Sequence, residues 1–184
     1  MVRLVPIFAL ALVGCGRPAS AGVDREAAQY EAYRQPQKIV AALRLAPGQR
    51  VADVGAGRGF LTTRLAAAVS PGGHVVATDV DAAALAAIPR ANGVETRVVA
   101  AADPGLEPAA YDRILVADTD HYFDDRAAWL RRAAVALKPA GFIAVTNRVT
   151  HRAALVAAAE AAGLRVTEEP VALPAHFFVR LEQP

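Results

Sequence analysis

The chain has 184 residues, of which 54% are hydrophobic and 21% charged, and its formal net charge is +2. This length and apolar content suit one compact domain that buries on the order of 70% of its unfolded surface. Basic and acidic residues are interspersed and no basic stripe is visible, which argues against a nucleic-acid-binding protein.

The first residues of the chain differ from the rest. Arg3 precedes an apolar stretch, Leu4 to Val13, that is shorter than the roughly 20 residues a membrane-spanning helix needs. Leu12-Val13-Gly14-Cys15 follows and resembles the lipobox of bacterial lipoproteins, in which the leader is cleaved before a lipid-modified cysteine. Cys15 is the single cysteine, so a disulfide within the chain is impossible, and lipidation explains a cysteine at this position better than chance does. An ordinary secretory signal is the alternative.

Three parts of the chain are therefore predicted: a lipoprotein signal peptide at 1–14, a tether at 15–23 and a folded domain at 24–184. Most of the tether is small or polar and has no hydrophobic period. The predicted location is the bacterial cell envelope, facing the periplasm or exterior, with a membrane anchor on Cys15. If the start site is wrong, a cytoplasmic location follows instead.

Helical and apolar segments alternate after the tether. Two helical pieces, Asp24 to Arg34 and Gln37 to Leu45, come first. The predicted strands are Arg50 to Val54, His74 to Thr78, Glu95 to Ala100, Asp112 to Ala117, Phe142 to Thr146, Leu164 to Glu168 and His176 to Leu181. The predicted helices between them are Phe60 to Val69, Ala82 to Ile88, Asp125 to Leu137 and His151 to Ala162.

The last two strands are joined by a proline-containing loop without a helix, so this pair must be antiparallel. The predicted fold class is α/β, a doubly wound, seven-stranded, mostly parallel sheet with a reversed last strand. Such sheets bind ligands at the carboxyl ends of their strands. Trp129, Phe177 and Phe178 lie in periodic apolar segments and are predicted to fill the core.

The strand Arg50 to Val54 runs directly into Gly55, Gly57 and Gly59. Glycines at alternate positions allow positive φ and leave no side chain between the backbone and a ligand, which predicts a cradle for an adenosine-type cofactor. A dinucleotide-binding fingerprint would need a sixth-position glycine, and Phe60 stands there.

Carboxylates accompany this loop at two strand ends. Asp53 lies two positions before the first glycine, and Asp79 directly follows the second predicted strand. The separation of Gly59 and Asp79 is close to the roughly 20 residues at which nucleotide-binding folds place a ribose contact.

With these motifs, the chain from about Asp24 to Leu181 resembles the class I S-adenosylmethionine-dependent methyltransferases. The resemblance implies that Asp53 faces the amino group of the cofactor's methionine part, Asp79 the ribose hydroxyls and Asp103 the adenine amino group. Its implied cofactor-binding residues are Asp53, Gly55, Gly57, Gly59, Asp79, Asp103 and Asp118.

Three further segments carry the resemblance. Lys138-Pro139-Ala140-Gly141 is similar to the family's turn before its fifth strand, with Ala140 in place of a glycine. Asp118 to Arg126 and Leu173 to Phe178 look like a subgroup of exported or poorly characterised methyltransferase-like proteins, although the segment after the fifth strand, 147–150, is short for that subgroup.

Methyl transfer from a sulfonium is a direct displacement, so the protein mainly aligns the nucleophile, the methyl group and the sulfur while it excludes water. His121, just past the fourth predicted strand, is the best candidate for a base, followed by Asp118 and Asp120. Alternatively, His121 and Tyr122 pack against the adenine or cap the next helix.

Structural roles are also open for the two carboxylates, which could cap a loop or pair with Arg58 or Arg64. His74, His151 and His176 are dispersed along the chain, so no metal site is predicted.

The predicted function is that of an S-adenosylmethionine-dependent methyltransferase acting on a small-molecule acceptor. The alternative is a non-catalytic, membrane-anchored lipoprotein that uses the same fold as a binding module. An exported location would favour the alternative, because the cofactor is made in the cytosol.

Overall fold

The computed structural model describes residues 31–168 and 171–184. The chain divides into two units, Met1–Ala32 and Tyr33–Pro184, and the elements below belong to the second. The predicted signal peptide, tether and lipidated Cys15 lie outside the described residues, as does most of the predicted helix Asp24 to Arg34. No helix within the described ranges is long and apolar enough to cross a membrane.

Helices and strands alternate along the second unit. The strands are β1 Arg50–Val54, β2 His74–Asp79, β3 Val94–Val98, β4 Tyr111–Ala117, β5 Leu137–Arg148, β6 Arg165–Glu168 and β7 His176–Glu182. The α-helices bounded in the described ranges are α1 Pro36–Ala42, α2 Thr62–Val69, α3 Ala82–Ala86, α4 Arg126–Val135 and α5 Arg152–Ala161. Short 3₁₀ turns at Asp120–Tyr122 and Val149–His151 follow β4 and β5.

The strands form one seven-stranded sheet in the order β3-β2-β1-β4-β5-β7-β6. Neighbours from β3 to β5 are parallel, whereas β7 is antiparallel to both β5 and β6. The predicted fold class is confirmed, including the reversed last strand. The strand order reverses between β1 and β4, which is the position where open α/β sheets bind ligands.

Apolar side chains cover both faces of this sheet, because successive strand residues point to opposite sides. Phe177 belongs to the cluster that includes Trp129 of α4 and Leu155 of α5, and its neighbour Phe178 belongs to the cluster that includes Leu65 of α2. Trp129 and both phenylalanines are buried, as predicted.

Strand β5 is longer than predicted because the predicted turn loops out from within it. Tyr111 pairs with Leu137 and Arg113 with Phe142, so the segment 138–141 is accommodated opposite a single residue of β4. Ala140 takes a φ of 62° in this turn, at the position where the resembling family has a glycine. Strand β3 is shorter than predicted, since its partner β2 ends opposite Val98.

Candidate active site

The loop after β1 contains three glycines whose added side chains would meet different surroundings. A Cβ at Gly55 would lie 2.1 Å from Thr119 Oγ1, so this loop closely approaches the segment after β4. A Cβ at Gly59 would lie 3.0 Å from Ile88. Gly57, with φ +52°, has nothing within 4 Å of its Cβ position and therefore borders open space that a ligand can fill.

Asp79, at the end of β2, is aimed at this loop by two backbone amides. Gly57 N–H donates to its Oδ2 at 2.8 Å and Asp81 N–H donates to its Oδ1 at 3.0 Å. The loop-capping alternative therefore describes a real contact of Asp79. This contact is compatible with ligand binding by Asp79, because each carboxylate oxygen can accept more than one hydrogen bond.

Asp53 lies near the end of β1 and is only 2% exposed. Thr62 of α2 donates its hydroxyl to Asp53 Oδ2 at 2.6 Å. Burial raises the pKa of Asp53 to about 6; the charge of Asp79 adds to this effect and the Thr62 bond opposes it. At neutral pH the carboxylate is thus mostly ionised yet poorly solvated, which favours a cationic ligand group beside it.

Asp118 follows β4 directly and joins three separate elements. Its carboxylate forms an ion pair with Arg34. Its Oδ1 also lies 3.2 Å from Nε2 of His176, and His176 is the first residue of β7. His176 Nδ1 lies 2.8 Å from the Pro174 carbonyl oxygen, and the Tyr33 ring packs edge-on against the imidazole. Burial lowers the pKa of His176.

His176 is distant from Asp118 in the sequence but lies beside it in the fold. Because β7 runs antiparallel, its first residue lies at the edge where the parallel strands end, opposite Arg148 of β5. The predicted reversal of this strand was the signal that could have placed His176 near Asp118.

A second cluster lies in the turn after β4. Asp120 is 1% exposed and its Oδ2 lies 3.3 Å from Arg126 Nε. Asn147 of β5 donates from Nδ2 to Asp120 Oδ1 at 2.6 Å, and the same nitrogen lies 3.0 Å from His121 Nδ1. Asp120 is thus a buried structural carboxylate and a poor candidate for a base. Sequence reasoning gave Asn147 no role, because nothing local marks an asparagine at a strand end.

His121 is partly buried and lies against the rings of Tyr122 and His151. The His151 ring stacks on it with centroids 4.7 Å apart, so the two histidines lie together although the sequence separates them. Burial is the main cause that lowers the pKa of His121; His151, Arg126 and Arg148 add to it. Even so, no group of three or more His, Cys, Asp or Glu in the described ranges is arranged to hold a metal ion.

The predicted alternative that His121 or Tyr122 caps the next helix is wrong. Asp125 caps α4, accepting from Ala128 N–H at 2.8 Å, and Tyr122 is 72% exposed.

Asp103 is exposed in the loop after β3 and accepts from Gly105 N–H at 2.9 Å. Within the described ranges, no hydrogen bond or ion pair joins it to the glycine loop, Asp53 or Asp79. The structure therefore brings together Asp53, Asp79 and the glycine loop. Asp118 lies in a separate cluster with Arg34 and His176, and His121 in another with Asn147 and His151.

A glycine loop and two acidic strand ends at a switch in strand order define a Rossmann-like α/β protein with a ligand site at its carboxyl edge. Residues 52–143, from β1 into β5, match the family model described as a methyltransferase domain. The chain belongs to this methyltransferase family, and its fold is the Rossmann-like class I methyltransferase fold.

Several known proteins are similar to the chain. Nocamycin O-methyltransferase of Saccharothrix syringae is 36% identical over 109 residues, which cover 56% of this chain and 39% of that relative. The chain thus matches well under half the length of this relative.

Solved structures share the fold at low sequence identity. A SAM-dependent methyltransferase from Aquifex aeolicus superposes with a TM-score of 0.75 at 22% identity, covering 88% of this chain and 96% of that one. A TehB-like SAM-dependent methyltransferase from Corynebacterium glutamicum has a TM-score of 0.66 at 16% identity, covering 91% and 100%.

Proposed function

We propose that the chain binds S-adenosylmethionine beside Gly57 and transfers its methyl group to an oxygen atom of a small-molecule acceptor. The observation that carries this proposal is the open space at Gly57, flanked by Asp79 and by the poorly solvated Asp53, in a chain of the methyltransferase family. An oxygen acceptor is proposed because the curated relative is an O-methyltransferase.

The residues of the loop fit the parts of this cofactor. Asp79 is oriented by two amides and has remaining acceptor capacity for the two ribose hydroxyls. Asp53 offers a carboxylate to the ammonium of the methionine part. Val80, directly after Asp79, is 59% exposed and offers an apolar surface to the adenine. The adenine contact of Asp103 stays a prediction.

The bound sulfonium supplies an electrophilic methyl group, so the protein's contribution is alignment and exclusion of water. The ends of β1 and β4 approach each other closely at Gly55 and Thr119. We therefore place the acceptor on the β4 side, beside His121 and Asp118, where its oxygen can face the methyl group.

Calorimetric titration of the full chain with S-adenosylmethionine tests the cofactor site. We expect wild type to bind and Asp79→Asn to bind at least about tenfold more weakly, which is a loss of about 1.4 kcal/mol. Asp125→Asn is the matched control, because asparagine caps a helix about as well as aspartate and the residue lies outside the glycine loop. Wild type without measurable binding would overturn the proposal, and so would equal weakening in both variants.

The lipid anchor on Cys15 and the envelope location are separate proposals that rest on the sequence alone. Fractionation of cells that express the chain or Cys15→Ser tests them: we expect only the former in the membrane fraction. If both proteins are found in the cytosol, the anchor is wrong and access to the cofactor is no longer in question. The non-catalytic binding module remains the alternative, and failure of cofactor binding would favour it.

A further inference from the structure

The side-chain amide of Asn147 is held by three partners that fix which end is oxygen and which is nitrogen. Its Nδ2 lies 2.6 Å from Asp120 Oδ1 and 3.0 Å from His121 Nδ1, and its Oδ1 accepts from Arg148 N–H at 2.7 Å. The carboxylate of Asp120, ion-paired with Arg126, accepts, and the Arg148 amide can only donate. A flipped amide would set oxygen against oxygen and donor against donor, so this orientation follows from the partners.

The orientation of Asn147 determines the proton position on His121. An amide nitrogen donates and has no lone pair to offer, so the Nδ1 atom that faces it must be the acceptor of the ring. A neutral imidazole whose Nδ1 accepts carries its proton on Nε2. Adding a second proton at Nδ1 would set N–H against N–H and break the Asn147 bond.

Most of the charged groups around His121 lower the pKa of its ring. His151 stacks on the ring, and Arg126 and Arg148 also disfavour a positive charge there. Asp120 favours a positive charge on His121, but its two oxygens already face Asn147 and Arg126. The neutral form of His121 is therefore the stable one at neutral pH.

We propose that Asn147 is a positioning residue that holds His121 as the neutral Nε2–H tautomer, so that His121 donates a hydrogen bond to the acceptor oxygen instead of removing its proton. This inference rests on the proposed function and replaces the predicted role of His121 as a base. The acceptor class follows: a phenol or enol acidic enough to arrive already ionised, having released its proton to solvent. The oxyanion forms the new O–CH₃ bond as the C–S⁺ bond breaks, and the sulfur leaves as a neutral thioether.

A positive charge at the carboxyl ends of β4 and β5 favours an anionic acceptor. Arg148 is exposed at the end of β5, next to Asn147 and opposite His176. Its positive charge acts on both His121 and His176, which places it near both rings. A cation at the end of β5 and an N–H donor on His121 would attract and orient an oxyanion.

Nitrogen NMR of the full chain labelled with ¹⁵N-histidine measures the tautomer directly and needs neither cofactor nor acceptor. We expect His121, assigned by the loss of its signals in His121→Gln, to show a protonated Nε2 and an unprotonated Nδ1 near neutral pH. His176 is an internal control at Nδ1, because this atom must carry a proton to donate to the Pro174 carbonyl oxygen. A protonated Nδ1 on His121 in wild type would overturn the proposal, whatever the calorimetry shows.

Replacing the donor tests the role of Asn147 itself. In Asn147→Asp a carboxylate oxygen faces Nδ1, so we expect His121 to gain a proton there and its NMR pattern to change. An unchanged pattern in the folded variant would contradict the positioning role. If this variant does not fold, Asn147→Ser, which removes the fixed donor, is expected to give a mixture of tautomers, and a pure Nε2–H pattern would count against the proposal.

Methyl transfer to defined probes tests the acceptor class. We expect 4-nitrophenol and the enol dimedone, both substantially ionised near neutral pH, to be methylated at least about tenfold faster than 4-methylphenol, which is almost fully protonated there. Equal rates for the three probes would overturn it, since they would require a protein base. Turnover of none of them, in a chain shown to bind the cofactor, would also overturn the acceptor class while leaving the NMR result intact.

Discussion

Two halves of the carboxyl edge are built in different ways. The glycine-loop half, at the ends of β1 and β2, consists of backbone amides and carboxylates from one continuous segment, with Thr62 bonded to Asp53 and Gly57 to Asp79. The histidine half, at the ends of β4 and β5 and the start of β7, is assembled from side chains far apart in the chain, such as Arg34, Asp118 and His176. The first half is therefore encoded locally, and the second depends on how the whole sheet is ordered.

The largest expected effect is a difference in folding stability between alanine substitutions at two glycines of the glycine-loop half. Gly55→Ala should destabilise the fold by about 3 to 5 kcal/mol, because the added Cβ would clash with Thr119 at a positive φ. Gly57→Ala should cost only about 1 to 2 kcal/mol, because the Cβ meets nothing and only the positive φ is unfavourable. Urea denaturation of both variants measures the difference.

Gly55→Ala tests the contact between the two halves, whereas Gly57→Ala tests the contact with the cofactor. We expect Gly57→Ala, although folded, to bind S-adenosylmethionine at least about tenfold more weakly, since its methyl group enters the proposed ligand space. Equal losses of stability in the two variants would show that the backbone of Gly55 does not lie against the Thr119 side chain.

In the histidine half, the largest effect is expected from Asp120→Ala. The substitution leaves Arg126 without its buried counterion and Asn147 without one acceptor, which should cost about 2 to 4 kcal/mol. Urea denaturation gives the stability, and calorimetry with S-adenosylmethionine is expected to show nearly unchanged affinity at a temperature where the variant is folded. A large loss of cofactor affinity would contradict the separation of the two halves.

The two halves were also unequally predictable from sequence. Asp53, the three glycines and Asp79 form a local pattern, and β1 was predicted with its observed bounds because an apolar run leads directly into that pattern. The contacts of His121 with His151 and of Asp118 with His176 do not follow from the sequence, because no spacing rule relates the two members of either pair. Asn147 carries no local signal, and its role becomes visible only once β5 lies beside the turn after β4.

Asp53→Asn is expected to change the stability of the fold by a smaller amount, and to raise it where the preceding substitutions lower it. The folded pKa of about 6 lies above the ordinary value of 3.8, so the folded state holds the proton more tightly than the unfolded state does. The resulting stabilisation is complete below the ordinary value and is lost as the pH rises through about 6. A neutral asparagine avoids the buried charge and should stabilise the protein by about 1 to 3 kcal/mol at pH 7.

Urea denaturation at pH 7 and near pH 4 checks this sign, since the gain over wild type should shrink toward the lower pH. The same variant should bind S-adenosylmethionine poorly, and the affinity of wild type should fall as the pH falls below about 6. Thr62→Val is a control for the hydrogen bond, because it removes that partner but keeps the buried charge. A destabilisation by Asp53→Asn that is equal at both pH values would contradict the buried-charge interpretation.

The smallest effects are expected when the N-cap aspartate of a helix is replaced by alanine, at Asp81 before α3 in the glycine-loop half and at Asp125 before α4 in the histidine half. Asp81 accepts from Ala83 and Ala84 N–H, and Asp125 accepts from Ala128 N–H, so alanine at either position should cost about 1 kcal/mol in urea denaturation. Only Asp81 also donates its backbone N–H to Asp79, so loosening its helix should weaken cofactor binding a few-fold, whereas Asp125→Ala should not. Equal cofactor affinities in the two variants would mean that the orientation of Asp79 depends on Gly57 alone. A loss of affinity confined to Asp125→Ala would instead couple the histidine half to the cofactor, and the two halves would then have to be treated as one site.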